Sequence, residues 1–360
     1  AALAGAYFAT RAGLDWRAAF IWLGLPGVAL ALVFKLTVKE PPRGYSDPDG
    51  GAAAKDRPSP IEVFKVIGSK PAFWHVAIGG GLASFVGYGV GQFVTPFFLR
   101  AHSLPVIFKD MPPLMEAAII YGLILGLFAA AGTFTSGWLA DKLRDRHPNA
   151  VSWLPALGFV IAVPSYIIGF NTLAFSSGSM AVFLSIPPLA VAAVTHYFYL
   201  SPMFAVPQNL VAPRMRASAA ALLLFVVNII GYVFGPPVIG WISDEAAKWN
   251  LSQKADSPTL ARCNEIEMAR KALGKEDQST WSAAQRAEYD DMGATYGEFC
   301  AQPRADGIRF AMSVGVLVYL WAGLHFLLMG PRLRRDSWSM NVGEKDEEIH
   351  PEDTPEPEMR

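Results

Sequence analysis

Ser84, Tyr88, Gln92 and Thr95 recur at intervals of four, four and three residues along one apolar stretch, so at 3.6 residues per turn they share a narrow arc of a helix. Thr195, His196, Tyr199 and Met203 do the same on another stretch. The chemistry on offer is hydrogen bonding without a fixed charge, from hydroxyl, phenol, amide and imidazole. Of these groups, only the imidazole of His196, with an ordinary pKa of ~6.5, exchanges a proton near neutral pH. Each group also has a plainer use. Tyr and Gln can bond across to a neighbouring helix, and a lone buried histidine can be a satisfied core group. Mid-span depth and flanking tyrosines favour a binding or coupling role for His196, and both uses stay open.

Few other side chains could do chemistry. Ser136, beside Gly137, is the one nucleophile that could be set with His196, but it lies near the end of its segment while His196 lies near the middle of its own, which argues against an intramembrane enzyme. The spans hold no buried Asp, and Glu116, at the end of its helix, reads as an interface residue rather than a proton carrier. His75 and His325 also lie near span ends and read as interfacial. Cys263 and Cys300 both fall in the long polar insert 243–306, with no cysteine in any span. That placement favours a disulfide formed in an oxidising compartment over two free thiols. No metal or cofactor is expected.

The elements that must position these groups are membrane helices. Apolar residues make up 52% of the chain and charged ones only 17%, too oily for a soluble domain of 360 residues. Seven segments are each long enough to cross ~30 Å of hydrocarbon: 18–38, 72–99, 115–140, 151–170, 180–205, 217–242 and 307–329. The short connections are asymmetric in charge. Alternate ones hold Lys35, Lys39, Arg43, Lys55, Arg57, Lys65 and Lys70, then Lys142, Arg144 and Arg146, then Arg214 and Arg216, then Arg332, Arg334 and Arg335; the others hold only Arg11, Arg17, Arg100 and Lys109. The basic set is therefore cytoplasmic, and the insert 243–306 lies outside. Its stretch 281–292 can form a short amphipathic helix. The basic residues are spread over loops rather than gathered on one face, which excludes a nucleic-acid footprint. Residues 41–71, rich in Pro, Gly and Ala, read as a flexible cytoplasmic linker, and 331–360 as a disordered cytoplasmic tail. The chain opens on Ala1, and residues 1–10 read as the last part of a helix, so a fragment without its first spans is expected.

One helix tail, one helix, a long linker and six helices match the second part of a two-half, twelve-helix transporter, in which each half is built from inverted three-helix repeats. Gly137, Asp141, Lys142 and Arg144 resemble the Gly-x-x-x-Asp-Arg/Lys loop motif of the major facilitator superfamily, between its helices 8 and 9; a plain charged loop explains the basic residues but not the Gly and Asp spacing. Gly231, Gly235, Pro236 and Gly240 resemble the Gly-Pro motif of its antiporters, with an extra proline and one residue too many before the last glycine. Antiport is therefore not carried over, and the reading is of a bent helix at a close helix interface. The runs 16–44 and 202–244 are similar to the end of helix 6 and to helices 10 and 11 of Spinster-like transporters.

The resemblance implies an all-α polytopic fold: the C-terminal six-helix half (72–330) of a major facilitator, preceded by residues 1–40 from the end of the other half. It implies that the stripes on superfamily helices 7 and 10 face a central cavity. It further implies a secondary active transporter of an organic solute, lipid-like or anionic, working by alternating access with protons, multi-pass in the cell (inner) membrane. Its partners would be solute, protons, membrane lipid and the preceding half, with the usual carboxylate carriers in that half. A heptahelical receptor, or an organic anion or drug transporter of another major facilitator subfamily, is the competing expectation.

Overall fold

The computed structural model describes residues 16–39, 58–102, 104–143, 146–147, 149–254, 257–274 and 281–337. Arg144 and most of the linker, 40–57, lie outside the described residues. Among those described, seven helical runs are long and apolar enough to span a bilayer. They are α1 (Trp16–Thr37), α3 (Pro71–Ala101), α4 (Pro113–Leu143), α5 (Ala150–Phe170), α6 (Gly178–Asn209), α7 (Pro213–Ser252) and α9 (Ala283–Asp336). Two shorter helices, α2 (Pro60–Gly68) and α8 (Leu260–Leu273), join them.

Within the bundle α3 packs on α7 and α9, and α5 packs on α6 and α9. The seam between α3 and α7 is made by backbone. A Cβ on Gly235 would stand 2.6 Å from the Phe85 carbonyl oxygen, and one on Gly231 2.6 Å from the Ser84 Cβ. Gly89 answers from α3, where an added Cβ would meet the Gly235 oxygen at 3.0 Å. Bare surfaces let two helices approach this closely and gain dispersion contact where lipid supplies no hydrophobic drive. α7 is interrupted by a π turn at Ile229–Val233, next to that seam, and its next helical segment begins at Gly235 with Pro236 in the first turn. Gly240 sits against Phe93. Phe159 on α5 and Tyr319 and Phe326 on α9 are almost fully buried, with Phe326 against Gly79 of α3.

Three parts differ from the sequence expectation. The linker region is helical at α2, because Ser59 and Glu62 form a reciprocal capping box and Val63 and Ile67, one turn apart, are both fully buried. The tail does not begin at 331. α9 continues to Asp336, which is 6% exposed and accepts the Ala72 N–H at 2.8 Å, while Lys70 donates to the Asp336 carbonyl at 2.8 Å. The end of α9 thus caps the start of α3, satisfying an N–H that no helical partner could reach. Residues 338–360 lie outside the described residues. Finally, α7 and α9 run well beyond their apolar stretches, paired where Gly307 backs onto the Ser243 carbonyl, 2.5 Å from an added Cβ.

These extensions and α8 make a small cap. Cys263 and Cys300 are joined by a disulfide with Cα atoms 5.7 Å apart, packed with Ala247, Leu251 and Leu260. Arg304 pairs with Glu267 at 2.6 Å, and Arg270 lies 4.7 Å over the Tyr289 ring. The stretch expected to be helical after residue 281 is the beginning of α9.

Candidate functional site

A cleft of about 300 Å³ opens between α3, α4, α5, α6 and α9. Ser84 and Tyr88 reach it from α3, and His196 and Tyr199 from α6, so four residues of the two stripes meet in one concavity. Gln92 is exposed and Thr95 half-buried; neither lines the cleft. Thr195 returns its hydroxyl to the Val191 carbonyl at 2.9 Å, and the Met203 sulfur lies where a Cβ on Gly80 would approach to 2.6 Å. Both are used in packing.

Local sequence explains the α6 wall. The helix tightens to a 3₁₀ turn at Tyr197–Tyr199, directly after His196, which turns successive tyrosines toward the cleft. Ser136 on α4 donates to the Phe198 carbonyl at 2.7 Å and so secures the turn. That bond, not nucleophilic chemistry, is what the serine does. Gly132, one turn earlier, faces the Val194 backbone, and Gly158 on α5 faces the Thr195 carbonyl, so α6 is held from two sides by helices without side chains in the way. On the other wall Ser84 is 5% exposed, and the Tyr88 ring meets Tyr232 edge-on at 5.2 Å.

The cleft is richer in phenols than the two stripes foretell. Tyr121 from α4, Tyr166 from α5, Tyr197 from α6 and Tyr319 from α9 also line it, and Tyr166 Oη lies 2.8 Å from His196 Nδ1. The ring planes are nearly aligned: Tyr166 and Tyr319 differ by 17°, His196 and Tyr319 by 25°, Tyr319 and Phe159 by 11°. The signal that could have found the added tyrosines is their presence inside apolar spans, since a phenol in lipid needs a partner. Among the described residues no carboxylate, ammonium or guanidinium lines the cleft. Such a surface can orient a solute by neutral hydrogen bonds and ring contacts, and can exchange a proton only through the imidazole.

Glu116 and the paired histidines serve elsewhere. Glu116 is fully buried and accepts the N–H groups of Val106, Ile107 and Phe108 at 3.2, 3.0 and 3.2 Å. His75 and His325 face one another across α3 and α9 with Nδ1 atoms 3.3 Å apart. Asp141 and Lys142 end α4, with the Lys142 ammonium 4.7 Å over the Trp138 ring. Asp141 borders a second cleft of about 360 Å³, shared with His147, Ser201, Asn209, Arg216 and Ser337. Gly137 stands beside Ser201, 3.7 Å from an added Cβ.

Known proteins share this arrangement of helices. The family profile of the Major Facilitator Superfamily matches residues 1–236. An MFS-type efflux pump of Mycolicibacterium smegmatis is 29% identical over 237 residues, 64% of this chain and 49% of the pump. Protein spinster homolog 3 of Danio rerio is 30% identical over 253 residues, 69% of this chain and 49% of that protein. Among solved structures, a bacterial homolog of the human lysosomal transporter Spinster, inward-facing and unoccupied, aligns over 91% of this chain and 63% of its own, with 31% identity and a TM-score of 0.63. The same homolog in its occupied form gives a TM-score of 0.59. The chain spans about half the length of the sequence relatives it matches. With seven spans, a matching profile over most of its length and Spinster proteins among its relatives, the chain belongs to the Major Facilitator Superfamily, on its Spinster-like branch.

Proposed function

We propose that the chain forms one wall of the solute path in a secondary active transporter that moves an organic solute by alternating access, coupled to protons. The observation that carries this reading is the cleft, where Ser84, Tyr88, His196 and Tyr199 from two separate helices converge without a fixed charge. Aligned rings suit an apolar body and hydroxyls suit a polar group, so the solute is amphipathic, and lipid-like and organic-anion classes both fit. Gln92 and Thr95 continue the α3 stripe and are assigned to the same path. A charge on the solute would be costly to bury against this wall alone. It is assigned, with the carboxylate proton carriers, to a preceding half of the transporter, consistent with relatives about twice as long as the matched region. The basic residues Arg216 and Arg334 lie at the end of the bundle opposite the disulfide cap, which supports a cell membrane with the basic end, linker and tail in the cytoplasm.

The test is uptake into proteoliposomes holding the complete transporter. His196→Gln is expected to flatten the pH dependence, and Tyr199→Phe to raise KM several-fold with little change in maximal rate. A His196→Gln protein with an unaltered pH profile would remove the imidazole from coupling. Efflux of a drug-like solute is the second reading, favoured by the mycobacterial pump among the relatives. Net flux under gradients imposed in each direction separates the two.

A further inference from the structure

We infer that Tyr166 is a positioning residue for His196, fixing which nitrogen of the imidazole faces the solute; the inference rests on the proposed role of His196 in the cleft. The phenol Oη lies 2.8 Å from Nδ1. The two residues come from α5 and α6 and are 8% and 4% exposed, so the bond joins two helices away from water. The phenol is itself held by rings, stacked on Phe170 at 5.5 Å and 19° and on Tyr319 at 6.2 Å and 17°, with Tyr319 in turn stacked on Phe159 at 4.9 Å.

A phenol is both donor and acceptor, and this is what suits it to the task. Facing a neutral imidazole the phenol, a better donor than acceptor, gives its O–H to the basic Nδ1 in preference to accepting from an Nδ1–H, which leaves the ring proton on Nε2. Facing an imidazolium it accepts the N–H from Nδ1. Rotation of one hydroxyl therefore keeps Nδ1 partnered in both protonation states, and proton exchange or solute contact falls to Nε2. The other titratable groups around the cleft are Tyr88 on α3, Tyr121 on α4, Tyr197 and Tyr199 on α6, and Tyr319 on α9, all neutral phenols. Among the described residues no charged side chain lines the cleft, so no fixed charge biases the tautomer.

The bond can be read without a substrate. The chain, labelled with ¹⁵N-histidine in detergent micelles, has six histidines, and His196→Gln assigns the signal. Two-bond ¹H–¹⁵N spectra of the wild type are expected to show a single Nε2–H tautomer for His196. Tyr166→Phe, which keeps the stacked ring, should convert it to a mixture, moving the Nδ1 shift toward the averaged value. An unchanged tautomer in Tyr166→Phe would overturn the inference. Tyr319→Phe removes a phenol from the same stack without touching Nδ1 and should leave the tautomer alone; if it produces the same mixture, the stack rather than the bond sets the tautomer, and the inference falls. Should His196→Gln leave uptake unaltered while Tyr166 still controls the tautomer, the reading of His196 fails and the inference fails with it as a statement about transport.

Discussion

His102 shows how a single side chain can couple the last turn of α3 to pH. It follows the last residue of the span, is 4% exposed, packs against the rings of Phe97 and Phe98 at 5.2 and 5.3 Å, and among the described residues has no hydrogen-bond partner for either ring nitrogen. Burial lowers its pKa to about 4. Because the folded value lies below the ordinary ~6.5, the unfolded chain binds the proton first, and stability present above pH ~6.5 is lost as pH falls toward 4. We expect thermal stability in detergent to drop across that window and His102→Leu to reduce the drop; an equal drop in both would assign acid sensitivity to other groups. The neighbouring loop is held by Glu116, whose carboxylate satisfies three backbone N–H groups. From sequence the glutamate reads only as an interface residue, because the demand it meets is set by loop backbone that has no signature in residue type. His196 and Tyr199 were legible as a stripe on one helix. Tyr121, Tyr166 and Tyr319 were not, since periodicity within a helix cannot show which residues of different helices converge.

Among the elements, the seven spans follow directly from apolar run length, but their ends do not. Apolar content stops α7 near residue 242, whereas its pairing with α9 through Gly307 and the Cys263–Cys300 cap carries the helix to Ser252. α2 was hidden in a Pro- and Gly-rich stretch because nine residues, held by one capping box and two buried side chains, give little periodic signal. The α3–α7 seam offers the sharpest test at this scale. Gly235→Val would push a branched side chain into the Phe85 carbonyl, 2.6 Å from the Cβ position, with backbone on both sides. Gly87→Val, on the same α3 but with nothing within 4 Å, adds the same atoms in open space. Overpacking costs about 1–3 kcal/mol or more where neighbours cannot yield. A fall in melting temperature and folded yield is expected for Gly235→Val with little change for Gly87→Val; comparable losses in both would mean that helix propensity, not the seam, dominates.

At the scale of the whole molecule, the ends of α4, α6, α7 and α9 meet around the second cleft. Asp141 is exposed there, across from Arg216 and His147, on the last turn of a helix whose Gly137 and Ser136 are fitted against α6. A carboxylate in that place can engage a helix N-terminus or a cation in one arrangement of the bundle and release it in another, a contribution of ~0.3 to 1 kcal/mol at an exposed site. A contact of this kind biases the population of states rather than solute affinity. In the complete transporter Asp141→Asn is therefore expected to slow the maximal rate several-fold while KM changes less than two-fold, since the tyrosine cleft, formed by other residues, is untouched. Lys142→Gln should do less, because its ammonium is already engaged by the Trp138 ring. A normal maximal rate for Asp141→Asn at normal expression would leave residues 137–144 as a charged connection whose basic residues do no more than hold it on one side of the membrane.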